Sequence, residues 1–252
     1  MRFCRLARLS SSCFSSTLFF TKNDINFFYE TKSNIKILGY LGLLASVLVG
    51  IGEYLLHYSE EILGHGDNYG FFKFVPLENM SLGHFLAMIG LPLYFAGYLH
   101  LYLMLRSGNE SLARVVLGVG FVAFAIGGVW IGSRASIGNI VHLEDQVDPN
   151  TYQNLIDHYT NHMEVLVQVL RIVIATVSLF FVLAILKGGT FYQKWMAFFN
   201  PILILILLVV IGMTIPFIGK HTLPILMNVT HFMLFTVSLI QLNKYIQTRK
   251  NG

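Results

Sequence analysis

The chain has 252 residues, of which 55% are hydrophobic and only 12% are charged, whereas about 25% of the residues in a soluble domain are charged. This composition excludes an ordinary soluble domain and indicates a polytopic membrane protein whose first partner is the lipid bilayer. The net charge is +4, but the lysines and arginines flank apolar runs instead of forming a patch. We therefore predict no nucleic-acid partner.

Residues 1–33 differ from the rest of the chain. They contain three arginines, a group of serines and no acidic residue before Asp24, a composition typical of an organellar transit peptide. A start codon placed too far upstream is an equally good interpretation, and in either case we expect a disordered extension. The two cysteines, Cys4 and Cys13, lie here. The remaining chain therefore has no thiol for a disulfide or a cysteine-ligated metal.

Six apolar runs follow, each long enough to cross about 30 Å of bilayer hydrocarbon. We predict an all-α fold, a transmembrane bundle of six helices over residues 34–245, with a cytoplasmic tail at 246–252. Residues 219–222 predict a tight turn between the last two helices. The predicted spans are 35–57, 82–105, 114–134, 163–186, 196–218 and 222–243.

The distribution of basic residues predicts the orientation. Lysines and arginines precede span one, follow span six and lie between spans two and three and spans four and five, whereas the opposite side has only Lys73, Arg134 and Lys220. The positive-inside rule then predicts that both termini are cytoplasmic. The expected location is the cell membrane (inner or plasma), or the mitochondrial inner membrane if residues 1–33 are a transit peptide.

Residues 157–171 carry ionisable side chains into an apolar run that continues to Leu186. Charge in hydrocarbon costs about 2.5–3.5 kcal/mol per group, so we expect this face to turn into the bundle and find partners. His158 and His162 form a second strip beside it. Five polar side chains fall within an arc of about 80° on a helix, namely Asp157, Asn161, Glu164, Gln168 and Arg171.

Five of the predicted spans bring polar side chains to the same outer depth, which predicts an intramembrane pocket open to the outer side. Our first hypothesis is that this pocket binds or transports a small solute, a lipid or a proton, without a cofactor. Arg171 would hold an anionic group or gate against Glu53 and Glu164, and His162 and His231 would exchange protons. The candidate pocket residues are Glu53, His57, His84, Arg134, His158, His162, Glu164, Gln168, Arg171, Asn228 and His231.

Plainer interpretations of these residues stay open. An ion pair of Arg171 with Glu53 or Glu164 would fix helix register in a structural or assembly subunit. Arg134 alone is typical of a snorkelling residue at the membrane interface, and His84 alone of a helix cap. Small residues spaced four apart, as in Gly128-x-x-x-Gly132, allow close helix packing and homo-oligomer contacts.

Residues 50–58, 82–84, 90–94 and 97–102 resemble an uncharacterised family of six-span bacterial membrane proteins. Such families carry an acidic residue late in the first span and a Gly-Tyr-x-His-like segment in the second. The resemblance covers about residues 35–243 and implies no known substrate or catalytic residue.

The histidines give a looser similarity to membrane-embedded zinc hydrolases of the alkaline ceramidase and adiponectin-receptor type. This similarity implies a zinc ion on His84, His158 and His162, with Glu53 or Asp157 as the acid, and a lipid-like substrate. The chain departs from those hydrolases in having six predicted spans instead of seven. Its histidine pair also lies at the start of span four instead of in the last span.

Overall fold

A computed structural model of the chain describes residues 22–59 and 69–250. This part of the chain is all-α, as predicted, and contains no strand. Short 3-10 helices lie at Gly70–Phe74, Lys194–Phe199 and Leu223–Ile225. The α-helices are α1 (Lys22–His57), α2 (Leu77–Leu105), α3 (Glu110–Val141), α4 (Pro149–Lys187), α5 (Pro201–Thr214), α6 (Pro216–Thr222) and α7 (Leu226–Lys250).

The chain divides into two units, Met1–Ser33 and Asn34–Gly252, and every contact described below lies within the second. The first 21 residues of the predicted N-terminal extension, and residues 251 and 252 of the predicted tail, lie outside the described residues. The boundaries of the extension and of the tail therefore stay predictions.

Five described stretches are long and apolar enough to cross a membrane, which identifies the chain as a membrane protein. They are Lys32–His57, Leu77–Leu105, Glu110–Val141, Pro149–Lys187 and Pro216–Thr248. The predicted span at 196–218 is interrupted, and its α-helix α5 has 14 residues. Such a helix is about 21 Å long, which is less than the hydrocarbon thickness. The count of six spans stays a prediction.

The prediction of a tight turn at residues 219–222 is wrong, because these residues are helical. The chain reverses instead at Ile215, which has an extended backbone with φ −121° and ψ 90°. The proline at position 216 disfavours the helical conformation of the residue before it. α6 then folds back onto α5, where Gly219 lies against Gly212.

The ends of three helices follow from local sequence. Asn109, Asp148 and Asn200 precede α3, α4 and α5, and the side chain of each accepts a hydrogen bond from the third residue beyond it. These caps satisfy backbone N–H groups that a helix start leaves without partners. α4 ends where Gly188 and Gly189 adopt φ values of 81° and 75°, which glycine adopts without steric penalty.

Glycines bring α1 and α2 close together. A Cβ atom added to Gly52 would lie 2.6 Å from the carbonyl oxygen of Gly83, and one added to Gly42 would lie 2.8 Å from Cα of Gly97. Small residues at such positions let two membrane helices approach backbone to backbone. The close approach holds Glu53, the residue after Gly52, beside α2.

Contacts between helices define two ends of the bundle. At one end, Arg134 of α3 donates a hydrogen bond to His57 at the end of α1. At the other, the backbone N–H of Phe191, which follows α4, donates to Met104 near the end of α2. We call these the His57 end and the Lys187 end, after the last residues of α1 and α4.

Candidate functional site

A cavity of about 360 Å³ lies among α1, α2, α3, α4, α5 and α7, and we call it the central cavity. Its wall is mostly apolar and includes Leu91, Phe124, Ile131 and Met227. Six side chains with strongly polar groups also line it, namely Glu53, Tyr94, Tyr98, Arg171, Asn228 and His231. Sequence reasoning named four of these six as pocket residues, and the two tyrosines are additions.

A hydrogen-bonded chain joins three helices at the cavity wall. Asn228 of α7 donates from Nδ2 to Oε2 of Glu53 on α1 at 2.6 Å. Its Oδ1 atom accepts a hydrogen bond from the hydroxyl of Tyr94 on α2 at 2.7 Å. All three side chains are buried. Because Asn228 provides a buried hydrogen-bond partner to both Glu53 and Tyr94, this network fixes the relative positions of α1, α2 and α7.

His231 makes a second polar pair with Tyr98. Its Nδ1 atom lies 2.8 Å from the carbonyl oxygen of Met227 and its Nε2 atom lies 3.1 Å from the hydroxyl of Tyr98. A carbonyl only accepts, so Nδ1 carries the proton and a neutral His231 accepts from the Tyr98 hydroxyl at Nε2. If His231 exchanges protons, as predicted, the Tyr98 hydroxyl is the group in direct contact with its Nε2 atom.

Replacing Gly120 with alanine is expected to destabilise the protein, because the new Cβ would lie 2.7 Å from Cγ of Tyr98 and closer still to two other ring atoms. Overpacking of this kind costs about 1–3 kcal/mol. Gly118→Ala on the same helix is the matched control, because a Cβ there meets nothing within 4 Å. Thermal unfolding in detergent should show a clearly lower midpoint for Gly120→Ala. Equal midpoints for the two variants would contradict this packing.

Arg134 lies within an aromatic cage next to His57. Its Nε–H donates to Nε2 of His57 at 3.0 Å. Its guanidinium carbon lies 5.2–5.5 Å from the ring centroids of four aromatic residues. These contacts stabilise the cation by cation–π attraction, and the interpretation of Arg134 as a snorkelling residue stays a prediction. The cage consists of Tyr69, Phe71, Phe72 and Trp130, and Trp130 also lines the central cavity.

Glu164 lies beside this cage. The hydroxyl of Tyr69 donates to Oε1 of Glu164 at 3.3 Å, and burial raises the pKa of Tyr69 above its ordinary value. The tyrosine therefore stays a protonated donor at neutral pH. Among the described residues Glu164 forms no ion pair with Arg171, so the predicted structural pair is not formed by this carboxylate.

Arg171 lines the central cavity but is also exposed at the surface of the bundle, and it has no protein partner among the described residues. Within the described part of the chain its guanidinium makes no hydrogen bond or ion pair, and Glu53, the other predicted partner, is bonded to Asn228 instead. Arg171 lies sixteen residues before Lys187, which places it about 24 Å from that end of α4. The structure thus leaves an unpaired cation at membrane depth.

The expectation that the whole polar face of α4 turns into the bundle is wrong. All five residues of the arc are exposed, and so are His158 and His162. The length of α4, whose 39 residues extend well beyond the hydrocarbon, explains the exposure of Asp157 and Asn161 but not that of Gln168 and Arg171, which lie within about 30 Å of Lys187. Asp157 lies thirty residues before the end of the helix, or about 45 Å from it, where a polar side chain needs no buried partner.

A second cavity, of about 630 Å³, lies between α2, α3 and α4 near the His57 end, and we call it the side cavity. His84 and His162 both line it, whereas His158 does not. Among the described residues no group of three His, Cys, Asp or Glu side chains is placed to hold a metal ion. The predicted zinc set of His84, His158 and His162 is therefore not assembled.

Comparison with known proteins then identifies the family. The model of a family of unknown function (DUF6796) matches residues 23–245. The chain belongs to this family. The predicted resemblance to an uncharacterised family is confirmed, and its bacterial origin stays a prediction. No curated protein and no solved structure matches the chain.

This family member carries another polar network near the Lys187 end, around the fully buried His100. Nδ1 of His100 lies 2.8 Å from the carbonyl oxygen of Ile35, and Nε2 lies 2.6 Å from Oγ of Ser238. Ser238 in turn lies 2.6 Å from the hydroxyl of Tyr192. Every polar atom of His100 is engaged in holding α1, α2 and α7 together, which is a structural role.

Sequence reasoning missed Tyr94 and Tyr98, which lie four residues apart on α2. A signal was present, because two tyrosines at i,i+4 spacing share one face of a helix and a buried hydroxyl needs a partner. The caging residues before α2 were also missed. They lie in or beside the short 3-10 helix Gly70–Phe74, and no periodicity relates Tyr69, Phe71 or Phe72 to Arg134.

Proposed function

We propose that this chain is a multi-pass membrane protein that binds a small amphiphile with an anionic group in its central cavity. The observation that carries the proposal is Arg171, an unpaired and partly exposed cation on the wall of a mostly apolar cavity. An amphiphile matches both features, because its chain suits the apolar wall and its acidic group suits the guanidinium.

The apolar wall supports a hydrocarbon ligand. Small-molecule sites usually have volumes of about 300–1,000 Å³ and mostly apolar walls with a few polar groups. The central cavity is at the small end of this range. A medium-chain carboxylic acid such as decanoic acid, or a lipid that inserts one such chain, is an appropriate occupant.

The state of Arg171 supports an anionic group. A charged side chain in hydrocarbon costs about 2.5–3.5 kcal/mol, and the guanidinium plane suits bidentate binding of a carboxylate or phosphate. The carboxylate of Glu53 does not fill this role, because Asn228 binds it and Arg134 is its nearby cation. Arg171 therefore keeps its donors for a ligand.

We further propose six membrane crossings, with both termini on the cytoplasmic side of the cell membrane. The contacts of α1 with other helices support an even number of crossings. Ile35 lies near Ser238 through His100, whereas Glu53 binds Asn228, so α1 and α7 run in opposite directions. Ile35 of α1 and the last residues of α7 then lie at the same end, and the segment containing α5 completes the additional crossing.

Tryptophan fluorescence tests the binding proposal, because the chain has two tryptophans and Trp130 lines the central cavity whereas Trp195 does not. In nanodiscs, the Trp195→Phe variant reports on Trp130 alone. We expect ω-bromodecanoic acid, ionised at the pH of the assay, to quench this fluorescence saturably. The matched ω-bromodecanol should bind at least about tenfold more weakly, because a hydrogen bond to a charged group contributes about 1.5–3 kcal/mol.

The controls separate binding in the cavity from partition into the bilayer. The Trp130→Phe variant retains Trp195 and should show only gradual, unsaturable quenching. Arg171→Leu should bind the acid and the alcohol equally, while Arg171→Lys should keep part of the preference for the acid. Saturable quenching that is the same for acid and alcohol in the protein with Arg171 would show that the arginine does not bind the ligand.

A further inference from the structure

The side cavity differs in chemistry from the central cavity. Hydrogen-bonding side chains occupy much of its wall, and none of the described residues that line it is Asp, Glu, Lys or Arg. An ion that entered such a site would lose its hydration without gaining a counter-charge. The polar residues on the wall are Ser81, His84, Ser133, Ser136, Asn139, Tyr159 and His162.

The imidazole of His84 has an unmet hydrogen bond. Its Nδ1 atom is buried and has no partner among the described residues. A neutral imidazole nitrogen either donates or accepts, depending on the tautomer, and a hydroxyl group meets either need. A buried polar atom without a partner costs about as much as a lost hydrogen bond, so a turn of the His84 ring that brings this atom to a ligand hydroxyl is favoured.

Two further polar side chains on α3 can still accept a hydrogen bond from a ligand. Ser136 donates to the carbonyl oxygen of Gly132 at 3.1 Å, and Asn139 donates from Nδ2 to that of Ala135 at 2.9 Å. Each bond uses a donor of the side chain and leaves the oxygen of that side chain able to accept. The wall therefore offers acceptors from α3 opposite the histidines of α2 and α4.

The depth of the side cavity matches the head-group layer of a bilayer. His84 lies 21 residues before Leu105 and His162 lies 25 residues before Lys187, which are distances of about 32 Å and 38 Å along their helices. Both exceed the hydrocarbon thickness of about 30 Å. The cavity thus lies where the glycerol and sugar groups of lipids lie.

From these observations we infer that the side cavity is a second binding site, for a neutral polyhydroxylated group such as the sugar of a glycolipid. The neutral wall selects against charged head groups, and the mixed donors and acceptors suit hydroxyls. The same chemistry is present in a free sugar, but the position at the head-group layer favours the lipid.

Thermal unfolding in phosphatidylcholine nanodiscs tests this inference, because a ligand that binds the folded state raises the unfolding temperature. We expect monoglucosyl diacylglycerol to raise it saturably and diacylglycerol with the same acyl chains to have no such effect. Gly132→Leu should weaken the glycolipid affinity at least about tenfold, since the leucine would occupy the cavity, where an added Cβ meets only His84, at 3.7 Å. His84→Phe should weaken it as well.

Two α3 variants serve as controls. Gly118 lines neither cavity, and Gly127 lines the central cavity only. The glycolipid should therefore still raise the unfolding temperature of Gly118→Leu and Gly127→Leu. If free glucose raises the unfolding temperature of the parent protein but not that of Gly132→Leu, the sugar chemistry is supported and the site is assigned to soluble sugars. Three results would overturn the inference. Diacylglycerol could raise the unfolding temperature as much as the glycolipid does, or the rise with the glycolipid could persist in Gly132→Leu. In the third case, neither the glycolipid nor glucose raises the unfolding temperature.

Discussion

Replacing Asn228 with leucine is expected to cause one of the largest losses of stability that a single substitution can produce in this chain. The variant would leave the carboxylate of Glu53 and the hydroxyl of Tyr94 buried without their partner. Each buried polar group left unsatisfied costs about 1–3 kcal/mol. The sum is a large part of a typical folding free energy of about 5–15 kcal/mol. Thermal unfolding and the yield of monodisperse protein in detergent would measure the loss.

Two comparisons make this result specific to the network. Thr236→Val removes a hydroxyl from the same helix that bonds only to the carbonyl oxygen of Phe232, and it should change stability little. Adding Glu53→Leu and Tyr94→Phe to the Asn228 variant should restore part of the loss, because a fully apolar replacement leaves no polar group unpaired. An Asn228→Leu variant as stable as Thr236→Val would refute the network.

Filling the central cavity with Gly127→Leu is expected to reduce the affinity for the anionic amphiphile at least about tenfold. Gly127 lines the cavity, and a Cβ atom there meets nothing within 4 Å. The leucine therefore enters the space that the ligand would occupy without displacing a neighbouring side chain. Quenching of Trp130 by ω-bromodecanoic acid would report the loss in the Trp195→Phe background.

Gly118→Leu is the matched control for this variant, because Gly118 is also on α3 and also has open space at its Cβ position, but lines neither cavity. It should bind the amphiphile like the parent protein. Both variants should unfold at similar temperatures without ligand. Unchanged affinity in Gly127→Leu would show that the ligand binds elsewhere.

Much of the candidate site was predictable because polar side chains stand out within apolar runs. Glu53, Asn228 and His231 each interrupt a stretch whose hydrophobic length indicates a span, and a buried polar group requires a partner. The sequence does not indicate which partner. Asn228 joins Glu53 across 175 positions of the chain, and only the packing of α1 against α7 creates that pairing.

The orientation of α4 was not predictable for a related reason. An amphipathic pattern shows that one face is polar, but it does not show whether that face meets the bundle, the bilayer or water. Most of the polar arc lies beyond the hydrocarbon, where exposure is not costly. Arg171 is exposed like the rest of the arc, and it differs from the other members in lining the central cavity.

The reversal at Ile215 was misplaced because two signals compete in that segment. Gly219 and the polar residues after it are typical of a turn, whereas Pro216 disfavours the helical conformation at the residue before it. The proline determines the backbone, and Gly219 instead provides the close approach to Gly212.

The most direct measurement of the central claim is photo-crosslinking of the protein in nanodiscs with a diazirine-bearing decanoic acid, followed by peptide mass spectrometry. If the acid occupies the central cavity, crosslinks should form on wall residues such as Leu91, Ala123 and Met227, and excess decanoic acid should suppress them. Crosslinks confined to outward-facing residues such as Ile89 and Phe217, which are 70% and 77% exposed, would contradict the account.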